Sequence, residues 1–88
     1  MSQYEITSAH TDRVLVYMRQ QTKDHGINLF DPNGDSFLVY VKHDWNEAGL
    51  GSWNCQTVQA PLREVLDRLK SEGLVEVVGS SYKVKEKI

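Results

Sequence analysis

Cysteine is almost absent from this chain, with Cys55 the single one in 88 residues. An internal disulfide is therefore excluded, and one thiolate cannot anchor a zinc finger. Long apolar runs are also missing. Nothing approaches the ~20 residues needed to span a bilayer, and the first residues show neither the basic region nor the apolar run of a secretory leader. The expectations that follow are no membrane partner and a cytoplasmic location. Positive charge is not in excess, since 10 Lys and Arg stand against 12 Asp and Glu for a formal net charge of −2. That balance works against any ligand bound by neutralising phosphates. Proline occurs only at positions 32 and 61, and there is no internal repeat, low-complexity run or linker.

What is present is the composition of one ordinary globular domain over 1–88, 40% hydrophobic and 25% charged, long enough for a modest core. The most informative stretch is Ala60 to Val75. Leu62, Val65, Leu66 and Leu69 recur at i, i+3, i+4 and i+7, one side of an α-helix, with Arg63, Glu64, Asp67, Arg68 and Lys70 around the rest. Glu64 precedes Arg68 by four, the favourable order for a helix pair. Gly73 can take the left-handed conformation that ends a helix. Beyond it, Leu74–Val78 is β-like, Gly79-Ser80-Ser81 reads as a turn, and Tyr82–Glu86 alternates with period two.

These residues carry a resemblance. Ala60-Pro61-Leu62-Arg63-Glu64-Val65-Leu66, then Arg68-Leu69, then Glu72-Gly73-Leu74-Val75, resembles the recognition helix and first wing strand of GntR-type transcription regulators, over roughly residues 58–85. The resemblance implies an α+β winged helix-turn-helix fold, three helices with a small antiparallel wing sheet, and an Arg63 that contacts DNA. Gln59 stands where the family has a second arginine, and Val58 where it has a capping serine.

The remaining elements are read in chain order. Residues 1–6 form a tail or a short edge strand. Thr7-Ser8 and Thr11-Asp12 are alternative caps for a first helix that buries Val14, Leu15, Tyr17 and Met18 and ends near Thr22. Residues 23–43 are expected to form a hairpin-like excursion about Asp31-Pro-Asn-Gly-Asp35. Its second arm, Ser36–Lys42, becomes the first strand of the wing sheet, with Phe37, Val39 and Val41 inward. Asp44 and Glu47 look like a capping box opening a short second helix, which Gly49 and Gly51 stop. The helix-turn-helix then spans 44–72 and the wing 74–87. The long helix starts at Thr57 or Val58, because Pro61 is tolerated only near a helix start. Trp45 and Trp53 are expected to pack between helices.

Six residues form the candidate DNA-binding set. Gln59 and Arg63 lie one turn apart at the helix end that meets base edges in helix-turn-helix proteins; arginine can fork onto guanine and glutamine onto adenine. Thr57, Ser80, Ser81 and Lys83 are suited to backbone phosphates. The bland alternative for Arg63 is a surface pair with Asp67. Apolar Leu38 and Tyr40, with the first helix, leave room for a homodimer. Asp31, Asn33 and Asp35 imitate the start of a calcium loop, but Ser36 and Lys42 occupy the positions that need glycine and glutamate, so a turn is expected. His10, His25, His43 and Cys55 have no metal-ligand spacing, and no nucleophile–base pair is visible. No metal, cofactor, small-molecule effector or enzymatic activity is expected. The leading expectation is sequence-specific binding of double-stranded DNA by a transcription regulator; the rival is a winged helix serving only as a protein-interaction module.

Overall fold

The computed structural model of the chain describes residues 6–26 and 28–85. Within them the fold is α+β. Helices α1 (Ser8–His25), α2 (Asp35–Glu47) and α3 (Gln59–Ser71) are followed by an antiparallel hairpin of β1 (Val75–Val78) and β2 (Ser81–Val84). The strands pair from Val75 opposite Val84 to Val78 opposite Ser81. Phe30, between α1 and α2, adds an isolated antiparallel bridge to Tyr82, with both backbone N–H···O bonds at 2.8 Å. The expected tail over residues 1–5 and the last residues of the expected wing lie outside the described residues.

Helix α1 starts at the first of the two caps, Thr7. His10 is buried there: its Nδ1 accepts from the Thr7 N–H at 3.1 Å, and its Nε2 bonds the Leu50 carbonyl at 3.0 Å. Those contacts require the Nε2–H tautomer, since Nδ1 must act as an acceptor. The helix runs to His25, one turn past Thr22. Gly26, with φ 69°, is the residue able to turn left-handed, and its N–H closes on the Thr22 carbonyl. Lys23 and His25 meanwhile suit the carbonyl end of the helix dipole.

The largest departure from expectation is 35–47. Ser36–Lys42 is not a strand but the body of α2, and the short helix expected from Asp44 is its last turn. Local β-propensity is a weak preference that packing overrides. Phe37, Leu38, Val41 and Trp45 are all buried, at i, i+1, i+4 and i+8, while Val39 and Tyr40 face outward. A strand would split that set between two faces; a helix gathers it into one stripe. Asp44 does not cap a helix but receives a two-pronged bond from Arg13 of α1, at 2.7 and 2.9 Å. The strand-like partner of the hairpin is Phe30, on the first arm of the expected excursion, and the segment joining α2 to α3 is residues 48–58. Leu38, expected on the same surface as Tyr40, belongs to the core.

Helix α3 agrees closely with its sequence reading. Pro61 is its third residue, Pro61, Leu62, Val65, Leu66 and Leu69 are buried, and Glu64 pairs with Arg68 at 3.0 Å. Gly73 turns left-handed with φ 78° immediately after it. The core joins this stripe to Val14, Leu15 and Met18 of α1, the α2 set, Val58, Val75, Val84 and Phe30. Trp45 is completely buried, and Trp53 packs edge-on against it with ring centroids 5.6 Å apart.

Candidate nucleic-acid interface

The approach to α3 is built by one asparagine. Asn54 Oδ1 accepts the N–H groups of Gln56 and Thr57 at 2.8 and 2.9 Å, and Thr57 Oγ1 accepts the Asn54 N–H at 2.9 Å. This reciprocal cap satisfies donors that a helix start leaves without intrahelical partners. It also explains how the helix begins without a serine at position 58: Val58 is buried, its N–H bonds the Asn54 carbonyl, and the polar capping duty sits four residues earlier. Thr57 thus contributes its hydroxyl to the cap. Upstream, the Asn46 side chain grips both the N–H and the carbonyl of Trp53, at 2.7 and 2.9 Å, and the Trp53 indole N–H donates to Leu50 O at 3.0 Å. The start of α3 is thereby tied to the end of α2 and, through His10, to α1.

Gln59 and Arg63 are both exposed, one turn apart on α3. Arg63 is not ion-paired with Asp67. Its Nη2 donates at 2.7 Å to Oδ1 of Asn33, in the turn before α2 and 30 residues away in sequence. Asn33 is itself placed by Asp31, whose Oδ1 accepts the Asn33 N–H at 2.9 Å and whose carbonyl accepts the Gly34 N–H. The Asp31 carboxylate therefore serves the turn. Asp67 instead accepts the Tyr82 hydroxyl at 3.3 Å. The Tyr82 hydroxyl is held above its ordinary range, first by burial and then by the Asp67 charge and hydrogen bond, with Arg63 acting in the opposite direction.

The hairpin tip carries Gly79, with φ 65°, then Ser80, followed by Ser81 paired to Val78. Lys83 pairs across the strands with Glu76. By strand alternation it lies on the opposite face from Tyr82, so the structure does not bring Lys83 to the side of Arg63. Together Thr57, Gln59 and Arg63 form one group at the start of α3, and Ser80 and Ser81 a second at the tip. Asn33, Asn54 and Tyr82 are members of this surface that the sequence reading does not include, whereas Asp67 is expected there as a partner of Arg63 and instead bonds Tyr82. Asn54-x-x-Thr57 was a readable capping signal, whereas nothing local marks Asn33 as the partner of Arg63.

Among the described residues no group of three or more His, Cys, Asp and Glu is arranged to hold a metal ion, and no helix is long and apolar enough to cross a membrane. Comparisons with protein-family models, with curated proteins and with solved structures found no match to this chain.

Proposed function

We propose that the chain is a winged helix-turn-helix protein that binds double-stranded DNA sequence-specifically and acts as a transcription regulator. The observation that carries this reading is the order helix, isolated bridge residue, helix, helix, hairpin, in which Phe30 joins β2 at Tyr82 and the first turns of α3 expose Gln59 and Arg63. In this reading α3 enters the major groove, Gln59 and Arg63 meet base edges, and Thr57 and the hairpin-tip Ser80 and Ser81 hold the flanking backbone, without Lys83, which faces away from Arg63. A homodimer would bury the outward Val16, Val39 and Tyr40 and match a two-fold operator.

A second reading, a protein-interaction module without DNA binding, is favoured by those same exposed apolar side chains and by the net charge of −2. Titration of labelled duplex DNA at low and moderate salt separates the two. DNA binding should show a shallow salt dependence corresponding to about 3–5 phosphate contacts per monomer. Arg63→Ala should cost about 1–3 kcal/mol of specific affinity. Absence of binding at low salt would refute the DNA reading.

A further inference from the structure

Arg63 and Asp67 are four apart on one exposed helix face, the spacing at which opposite charges ordinarily pair. Here each is drawn to a neutral partner from a different part of the chain: Arg63 to Asn33 at 2.7 Å, Asp67 to the Tyr82 hydroxyl at 3.3 Å. The two neutral partners are themselves linked, because Tyr82 bridges through its backbone to Phe30, three residues before Asn33. The turn before α2 and strand β2 therefore each supply one neutral partner to this face of α3.

We propose that Asn33 and Tyr82 are positioning residues that keep Arg63 and Asp67 apart, leaving the guanidinium available to a DNA base or phosphate. This rests on the DNA-binding reading above. Physically, a guanidinium locked onto a carboxylate has its fork occupied and its charge offset. Bonded through one nitrogen to a neutral amide oxygen, it keeps its full charge and most of its five N–H donors. The Tyr82 hydroxyl donates to Asp67 and so stabilises the carboxylate without consuming Arg63. Holding Arg63 before the ligand arrives also lowers the ordering cost of binding.

The test uses the full chain and duplex DNA selected by the wild-type protein. Tyr82→Phe frees Asp67 to pair with Arg63 and should weaken binding about two- to tenfold, the range for losing the pre-ordering of one long side chain. Adding Asp67→Asn should restore affinity to wild type or above. Asn33→Ala should weaken binding to a similar degree, and its effect should vanish in an Arg63→Ala background. A merely structural role for Tyr82 would leave the lost affinity unrescued by Asp67→Asn. If Arg63→Ala weakens binding but Tyr82→Phe and Asn33→Ala leave it unchanged, the positioning role is overturned while DNA binding stands. If wild type binds no duplex, the DNA reading itself fails, and the positioning role with it.

Discussion

Substituting Gly51 with alanine should be one of the more damaging single changes in the loop that delivers α3. Gly51 has φ 131°, and a Cβ there would lie 2.6 Å from Nε1 and 2.8 Å from Cε2 of Trp53. The indole has little freedom to move aside, because Nε1 donates to Leu50 O and the Trp53 backbone is gripped by Asn46. A side chain at such a φ costs about 1–3 kcal/mol, and losing the indole hydrogen bond adds about 0.5–1.5 kcal/mol. The sum is roughly 2–4 kcal/mol, a large share of the ~5–15 kcal/mol that holds a domain folded. Gly49 is the internal control: its φ is 73°, but a Cβ there meets nothing within 4 Å, so only the left-handed cost of about 1–2 kcal/mol applies. Urea unfolding followed by tryptophan fluorescence reads both. With a slope of roughly 1 kcal/mol per molar for a small domain, the midpoint should fall by about 2–4 M for Gly51→Ala and about 1–2 M for Gly49→Ala. Trp53→Leu removes the obstructing ring, so the two changes should combine less than additively, by about 1 kcal/mol. Equal costs at the two glycines, or strict additivity with Trp53→Leu, would refute this packing of the loop.

Two further outcomes follow from the same geometry. Asn54→Ala removes the acceptor of two N–H groups before α3 and should lower stability by about 0.5–2 kcal/mol in thermal denaturation. At high pH, Tyr17 is held above its ordinary 10.0 by burial and then by Tyr40, and Tyr82 by burial and then by Asp67. The unfolded chain therefore loses these protons first, so their contribution to stability is fully present below pH 10 and is lost as the pH rises through the folded values. Tyr17→Phe and Tyr82→Phe should each flatten the decline in melting temperature above pH 10, with tyrosinate absorbance following the ionisation; an unchanged slope in both would contradict that sign.

Helix α3 and the hairpin were legible because their information is local. The leucine stripe ends at Gly73, and the alternation resumes beyond it on either side of Gly79. Helix α2 was misread because Phe37–Val41 has strand chemistry over five residues and declares its helical period only when Trp45 is included. The Asp44–Glu47 spacing then imitated a helix start, whereas Asp44 is committed to Arg13 on another helix. The same limit applies at the candidate interface. Gln59 and Arg63 could be placed on an exposed helical face from their spacing. The Asn33 contact spans 30 residues and depends on how α2 packs, so no window of sequence contains it. Register, in turn, decides that Lys83 shares its face with Glu76 rather than with Tyr82.

The most direct test of DNA binding through α3 and the hairpin is to follow backbone amide resonances of the full chain as duplex DNA is added at low salt. Shifts concentrated at residues 54–64 and 79–83, and weakened by added salt, are the expected result. No response, or shifts gathered instead around Val16, Val39 and Tyr40, would contradict it.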